Sequence, residues 1–379
     1  MGAVFGLNYG WEHPLWFAKE PGVTDTNGFT RQNWWAPVGE ECKMLRENAG
    51  IIDISNFAKY RVKGPGAEAW LNALFANRMP REVGRSCLTP LISVRGGIAG
   101  DATVTRVAED EFWVISSGMA ERYHSRFFQM VPLPEGTVFE SLTDSHCGFN
   151  VAGPRSRELL QRLTNDSLSN EDFPFMRSKV IELAGISCLA LRVSFTGDLG
   201  WELHCAAQDQ ETLFRALLEA GEAVGAGPVG GRALMSLRVE KGYGSWSREY
   251  SPEYYPHEVG FERLCKMDKP FLNRDAAIAA MKDDPRETLI MLHLTEADVT
   301  ASNADATGGE PIFFDGEGIG RVTSGAYGYS VEMSLAMGYV KAGTAKAGDQ
   351  VDVMVLGQPH KARVLAEPPF DPKGERLRA

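Results

Sequence analysis

One short stretch combines several glycines with a carboxylate, and it is the first place where this chain could do chemistry. Three of the six residues 96–101 are glycine, and the last of the six is Asp101. Glycines let a ligand approach the backbone closely, because they carry no side chain. The Thr- and Val-rich run 102–107 and the apolar run 112–115 predict a β-hairpin that would hold the carboxylate still. The same pattern is also typical of ordinary turn chemistry.

A second glycine-flanked carboxylate motif occupies residues 196–202, with the sequence Thr-Gly-Asp-Leu-Gly-Trp-Glu. A turn at its glycines, followed by extended chain, would place Glu202 at the start of a strand. Two carboxylates that face one cleft suit a ligand with several N–H donors in a row, such as a pterin or a purine edge. The alternative is that Glu202 is a solvated strand residue.

Several other function classes are disfavoured by the sequence. It contains no Ser/His/Asp order with an elbow motif, no P-loop and no G-x-G-x-x-G after a strand. Six cysteines and seven histidines are scattered without metal-ligand spacing, which predicts no metal site and the free thiols of a cytoplasmic protein. The net charge of −11 argues against nucleic-acid or membrane partners. The sequence shows neither an apolar run of about 18 residues nor a signal peptide.

The two motifs lie in segments that resemble each other in their order of elements. A strand, a Gly-Pro pair and a helix follow one another near 59–74 and again near 147–163, which predicts two related α+β halves. Helical spacing also marks 38–48, 212–225 and 232–241. After about residue 285, short strands separated by glycine turns predict a small β-barrel or sandwich as a separate C-terminal domain.

Two aromatic segments flank this pattern. Residues 1–35 contain eight aromatic side chains, and 10–14 is predicted to be an irregular segment closed by a proline. So aromatic a segment is expected to pack against the rest of the chain, either as core or as the wall of a pocket for a flat ligand. The loop 243–255 is dense in aromatic and charged residues.

Four segments together resemble a known family. They are 96–106, 194–203, 232–243 and 323–340, and they resemble the folate-binding region of the glycine-cleavage aminomethyltransferase (T-protein) and of the C-terminal halves of dimethylglycine and sarcosine dehydrogenases. The segments 9–14 and 50–57 are closer to the dehydrogenase branch. The resemblance implies an α+β region 1–284, in which about 52–140 is inserted, and a C-terminal β-barrel domain 285–379. These parts would surround a central channel that holds tetrahydrofolate.

The resemblance also assigns roles to single residues. Asp101 matches the acid beside the reacting pterin nitrogen, Glu202 the acid at the pterin amide edge, and Thr103 a residue at the pterin. Phe195 stands where relatives have tyrosine, so it retains stacking without a hydroxyl. Trp201 and Arg232 complete the expected folate-binding set. Leu234 stands where the glycine-cleavage branch has arginine, which speaks against lipoyl-protein chemistry.

The expected activity is redox-neutral, because no flavin-binding fingerprint is present. We predict that a methyl group moves from a small O-, S- or N-methyl donor, such as an aryl methyl ether or an onium compound, to N5 of tetrahydrofolate. One alternative is that the chain accepts one-carbon units from a separate flavoprotein and makes 5,10-methylenetetrahydrofolate. Another alternative is a non-catalytic folate-binding regulator.

Candidate residues for the chemistry and for the donor pocket follow from this expectation. Asp101 would orient the pterin and manage its proton. A tyrosine or histidine would protonate the leaving group. The candidates for that role are Tyr9, His13, Tyr243 and His257, of which Tyr243 and His257 are the main ones. Aromatic walls for the donor are expected from Tyr9, Trp11, His13, Trp246 and Tyr250.

Overall fold

A β-hairpin, two larger sheets and a closed barrel make up the strands of the protein. A computed structural model describes residues 1–8, 10–295 and 304–379. Seven α-helices pack against the sheets in this part of the chain. The predicted α+β class and the C-terminal β-barrel are confirmed. No helix among the described residues is long and apolar enough to cross a membrane.

The first sheet has five strands in the order β5-β6-β7-β4-β8. Their bounds are Ala58–Lys63 for β4, Ser86–Ile92 for β5, Ile98–Ala108 for β6, Glu111–Ser116 for β7 and Val138–Ser141 for β8. Helices α2 (Ala67–Leu74) and α3 (Glu121–Phe128) pack on one face. Alternate residues of β6 face this apolar core, among them Ala102 and Val104. The residues between them therefore face the opposite side of the sheet.

The second sheet has six strands in the order β10-β11-β12-β9-β3-β13. Their bounds are Gly50–Asp53 for β3, His146–Ala152 for β9, Ser178–Leu183 for β10, Ile186–Leu191 for β11, Gly200–Ala206 for β12 and Gly227–Val229 for β13. Helices α4 (Ser156–Gln161) and α5 (Gln210–Glu222) pack on its outer face. Strand β3 precedes the whole first sheet in the sequence but hydrogen-bonds to strands that follow it.

The free faces of the two sheets meet. Trp113 and Ile115 of the first sheet pack against Leu189 and Leu191 of the second. The strand edges are joined as well, since Ser86 and Ser178 donate backbone hydrogen bonds across the junction. We call the space between these two faces, including its polar margin, the inter-sheet cleft.

The N-terminal segment is regular rather than irregular, which corrects the prediction for residues 10–14. Strands β1 (Ala3–Asn8) and β2 (Trp11–Phe17) form an antiparallel hairpin, and Pro14 lies in β2 at a shift of register opposite Phe5. A proline is tolerated there because a bulge leaves its position without a ladder hydrogen bond. The hairpin is anchored on helices α1 (Trp35–Glu47) and α6 (Gly231–Glu240) through the buried Trp16.

The C-terminal strands close into a barrel in the order β14-β17-β16-β15-β18-β19. Their bounds are Glu287–Leu294 for β14, Pro311–Phe314 for β15, Glu317–Gly328 for β16, Met333–Lys341 for β17, Gln350–Val355 for β18 and Gln358–Leu365 for β19. Helix α7 (Arg274–Ala280) precedes the barrel. The sequence did not predict α7, β13 or β19.

The repeated Gly-Pro pairs have the same structural role in both halves. Gly64 and Gly153 adopt φ values of +129° and +124°, which residues with side chains rarely adopt. A Cβ at Gly64 would lie 2.3 Å from the oxygen of Gly136, and one at Gly153 would lie 2.4 Å from the oxygen of Leu45. Each following helix begins two residues after its proline.

Candidate functional site

Asp101 lies inside strand β6, not in a loop that precedes it as the sequence suggested. The strand begins at Ile98, whose N–H donates to the oxygen of Tyr254. Within the described ranges no side chain forms an ion pair or hydrogen bond with the Asp101 carboxylate. Burial raises the pKa of Asp101 to about 6, and its own backbone N–H opposes that rise. Asp101 is therefore a partly enclosed carboxylate that is available to a ligand.

The residues next to Asp101 are held by an unusually close packing. A Cβ at Gly100 would lie 2.0 Å from Nε2 of His124, so only glycine fits. The two ring nitrogens of His124 lie 3.3 Å from the oxygen of Ala99 and from Oγ of Ser116. Burial lowers the pKa of His124 to about 4, so the ring is neutral and donates through one nitrogen only.

The aromatic loop 243–255 packs on the start of the strand that carries Asp101. Trp246 Nε1 donates to the same Ala99 oxygen at 2.9 Å, and its ring lies 5.8 Å from that of Tyr123. Burial and then the nearby Asp101 carboxylate raise the pKa of Tyr250. The structure thus brings together Asp101, Trp246 and Tyr250, which the sequence predicted in two separate segments.

This loop is fixed from below by a buried ion pair. Arg238 on α6 donates to Glu249 Oε2 at 3.0 Å and to Ser324 Oγ of the barrel at 2.6 Å. Thr323 of the barrel donates to the other Glu249 oxygen at 2.6 Å. The sequence analysis missed this pair, because neither residue type nor spacing marks it. It joins α6, the aromatic loop and the barrel beneath Tyr250.

Glu202 is the second carboxylate of the site. It lies on β12, 8% exposed, between Leu191 of β11 and Asn150 of β9. His204 Nε2 lies 3.6 Å from its Oε2, and burial lowers the pKa of this histidine despite the carboxylate. Oδ1 of Asn150 and both ring nitrogens of His204 are buried without hydrogen-bond partners in the described residues. A polar ligand would satisfy such groups.

The register of the strands directs both carboxylates into the inter-sheet cleft. Directly paired residues of neighbouring strands share a face, and Thr103 pairs with Ile115 while Glu202 pairs with Leu191. Ile115 and Leu191 are the apolar residues through which the sheets touch. Asp101 shares a face with Thr103, because it lies two residues away on the same strand.

Phe195 and Tyr243 form a stacked pair with ring centroids 6.0 Å apart and an interplanar angle of 19°. Burial and then Asp371 raise the pKa of Tyr243, and the Nζ of Lys241 lies 5.9 Å from its ring. The predicted folate-stacking residue and a predicted proton donor are therefore neighbours. They face the C-terminal segment that contains Asp371.

Two other residues that were predicted to bind folate lie outside the inter-sheet cleft. Trp201 is completely buried in the outer core of the second sheet, 6.2 Å from the ring of Phe173, and this position argues against the predicted folate contact. Arg232 is held by Asp25 at 2.5 Å and by the ring of Trp34 at 4.7 Å. Its contacts are therefore with the N-terminal segment.

The N-terminal candidates also form their own group. Burial lowers the pKa of His13, which packs against Gly231 at the start of α6, and Trp11 belongs to the same hairpin. Tyr9 lies outside the described residues. His257 stacks on Tyr255 at 6.1 Å, and no contact in the described part of the chain joins it to Asp101.

Asp198, the other carboxylate of the second motif, is structural. Arg46 donates to it at 2.5 Å and Arg376 at 2.7 Å, and it is 1% exposed. Arg46 also donates to Glu240 at 2.8 Å. Both oxygens of the buried Asp198 carboxylate accept hydrogen bonds from arginines, so Asp198 is not available to a ligand.

Two family domains match the two parts of the chain. Residues 1–269 match the GCVT N-terminal domain, and residues 289–371 match the glycine cleavage T-protein C-terminal barrel domain. A solved structure of the glycine cleavage system aminomethyltransferase T from Bartonella henselae is similar with a TM-score of 0.82 and 22% identity. The match covers 98% of this chain and 95% of that one, and it establishes a common fold.

Curated relatives come from two groups. Mitochondrial dimethylglycine dehydrogenase of Mus musculus is 35% identical over 96% of this chain and 42% of its own length. The 4-methylaminobutanoate oxidase (formaldehyde-forming) of Paenarthrobacter nicotinovorans is 31% identical over 100% and 46%. The aminomethyltransferase of Symbiobacterium thermophilum is 27% identical over 88% and 89%. The chain thus spans less than half the length of the first two relatives.

Proposed function

The chain belongs to the glycine cleavage T-protein family, and on this premise we propose that it transfers a methyl group to N5 of tetrahydrofolate. Folate-dependent one-carbon transfer is the activity that this membership supports. The proposed donor is a small O-, S- or N-methyl compound, and the proposed product is 5-methyltetrahydrofolate.

One observation carries the proposal. Two carboxylates on facing sheets, Asp101 and Glu202, point into one cleft, and neither has a lysine or arginine partner in the described part of the chain. A pterin presents several N–H groups along one edge, and carboxylates accept such donors strongly. The unpartnered oxygen of Asn150 beside Glu202 provides a further acceptor. The residues present therefore fit tetrahydrofolate.

The proposed mechanism needs alignment and one proton acceptor. Bound tetrahydrofolate would supply the N5 lone pair for the new N–CH3 bond, and the donor would keep the electron pair of the bond to its methyl group. Asp101 is ionised at neutral pH and accepts the proton that N5 loses. Glu202 and Asn150 fix the far edge of the ring, since orientation lowers the barrier of such a transfer.

The aromatic loop supports a flat or cationic donor. Tyr250 interacts electrostatically with Asp101, and Trp246 lies at Ala99, two residues before it, with Tyr123 next to Trp246. Aromatic faces stack on aryl ethers and attract sulfonium or ammonium groups. Tyr250 interacts electrostatically with Asp101, whereas the ring contacts of Tyr243 and His257 are with Phe195 and Tyr255. Tyr250 therefore joins Tyr243 and His257 as a candidate for protonating the leaving group.

The similarity to a dimethylglycine dehydrogenase and to a 4-methylaminobutanoate oxidase favours a second candidate function. The matched region of the dimethylglycine dehydrogenase and of the 4-methylaminobutanoate oxidase is less than half of each relative. In this alternative the chain accepts a one-carbon unit from a separate flavoprotein and releases 5,10-methylenetetrahydrofolate.

The test incubates the purified protein with tetrahydrofolate and a panel of aryl methyl ethers, sulfonium compounds and methylated amines. We expect 5-methyltetrahydrofolate with one donor class, and at least a hundredfold lower turnover for Asp101→Asn. Asp275→Asn is the matched control, because the Asp275 side chain is 95% exposed. Unchanged turnover of Asp101→Asn would refute the assigned role.

Two other outcomes would replace the proposal. Formation of 5,10-methylenetetrahydrofolate, and only when a flavoprotein dehydrogenase is added, would establish the second function. Tight folate binding without turnover of any donor would instead identify a non-catalytic folate-binding regulator.

A further inference from the structure

A fully buried lysine lies on the cleft face of the first sheet. Lys59 of β4 is 0% exposed and pairs with Ile115, which in turn pairs with Thr103. Its Nζ donates to the backbone oxygens of Ser55 at 2.8 Å and Phe57 at 2.7 Å. No carboxylate of the described residues lies within ion-pair distance of it. Lysines are almost never buried in this way unless they are paired, so the charge calls for an explanation.

Contacts lead from this ammonium to Glu202 on the facing sheet. The carbonyl oxygen of Ser55 accepts a hydrogen bond from Lys59 Nζ, and its Oγ accepts one from the Gly148 N–H at 3.1 Å. Gly148 on β9 pairs directly with His204 on β12. His204 Nε2 lies 3.6 Å from Glu202 Oε2. The end of the Lys59 side chain thus lies near β9, the strand that pairs with β12, which carries Glu202.

Glu202 has no other compensation for its burial within the described ranges. Its nearest basic neighbour, His204, is kept neutral because burial lowers the pKa of that ring. A buried carboxylate without a nearby cation tends to take up a proton. A protonated Glu202 has lost one of its acceptor sites for the N–H groups of a pterin.

We propose that Lys59 is a positioning residue of the folate site, whose charge keeps Glu202 ionised across the cleft so that it accepts pterin N–H groups. The inference rests on the proposed function, since it assumes that Glu202 contacts the pterin. Burial lowers the pKa of Lys59 to about 8, and Asp53, Glu121 and Glu202 are among the groups that oppose this. Lys59 is thus charged at neutral pH.

Other titratable groups face this pair from each neighbouring element. They are His204 from β12, Asp53 from β3, Glu121 from α3, and His146 and Cys147 from β9. Burial, followed by Lys59, lowers the pKa of His146. These groups remain unchanged in the variants below, so differences between variants report on Lys59 and Glu202.

The experiment measures the dissociation constant of 5-formyltetrahydrofolate, a stable reduced folate, by calorimetry between pH 5 and 9. Lys59→Gln is the informative variant, because it removes the charge and keeps N–H donors on a side chain that is one bond shorter. We expect its loss of affinity on acidification to begin about one pH unit higher than in the wild type. Lys59→Arg should retain the wild-type profile. Glu202→Gln should bind at least tenfold more weakly at pH 7.5 and retain only the acidic transition that Asp101 contributes.

The outcomes separate the inference from the function beneath it. If Lys59→Gln has the wild-type pH profile while Glu202→Gln binds weakly, Lys59 has only a structural role and the inference is wrong. If the wild type binds no folate, or Glu202→Gln binds as well as the wild type, the folate assignment itself fails. Should Lys59→Gln not fold, carbon-13 NMR of Glu202 in the wild type at pH 7 decides: an ionised carboxylate supports the inference, and a protonated one overturns it.

Discussion

Replacing Asp101 with asparagine is expected to stabilise the protein at neutral pH while it removes activity. Burial raises the pKa of Asp101 from its ordinary 3.8 to about 6. Between these two values the folded protein binds more protons than the unfolded chain, so stability falls as the pH rises through this range. The difference corresponds to up to about 3 kcal/mol of destabilisation above pH 6. Below pH 3.8 both states are protonated and the effect disappears.

Urea unfolding of the wild type and of Asp101→Asn at pH 7.5 and 4.5 measures this directly. We expect the variant to be more stable by up to about 3 kcal/mol at pH 7.5 and by only about 1 kcal/mol at pH 4.5. Asp275→Asn, at an exposed position, should show no such difference. The reasoning is refuted if Asp101→Asn is less stable than the wild type at pH 7.5, or if the gap is the same at both pH values.

Two further substitutions test the packing around the site and the fold that holds it. Gly100→Ala should lower kcat/KM at least tenfold, because the new Cβ would lie 2.0 Å from His124 Nε2. Gly318→Ala is the control: its new Cβ would lie 3.7 Å from the nearest atom, so kcat/KM should stay unchanged. Arg46→Met should lower the free energy of unfolding by about 3–5 kcal/mol in urea, since it leaves the Asp198 carboxylate buried with one cation fewer. A loss below 1 kcal/mol would show that this network contributes little.

Local patterns were sufficient for elements whose apolar spacing decides their conformation. Helix α2 (Ala67–Leu74) ends the predicted strand, Gly-Pro and helix segment near 59–74, and Trp70, Leu71 and Leu74 form its buried face. Strand β13 was not predicted, since its three residues pair with β3, which lies far away in the sequence. A strand defined only by such a distant partner has no signal of its own.

In the site too, the sequence indicated which residue types matter but not which of them come into contact. Asp101 and the aromatic loop were both singled out from the sequence, but their contact depends on Trp246 reaching the Ala99 oxygen across the fold. Trp201, which is adjacent to Glu202 in the sequence, was predicted with it in the folate-binding set. Neighbouring strand residues point to opposite faces, so one entered the core and the other the cleft. Lys59 carried no signal, because its burial follows from the packing of two sheets.

The position of β3 has a consequence for how the protein is made. As the chain leaves the ribosome, the first sheet has all five of its strands once residue 141 has emerged. Strand β3, synthesised before them, pairs only with β9 and β13, as far as the described residues show. Strand β3 therefore remains without its partner strands, as an open apolar edge, while the first sheet folds. Nascent chains that end between residues 141 and 227 should thus be the forms that most need a chaperone.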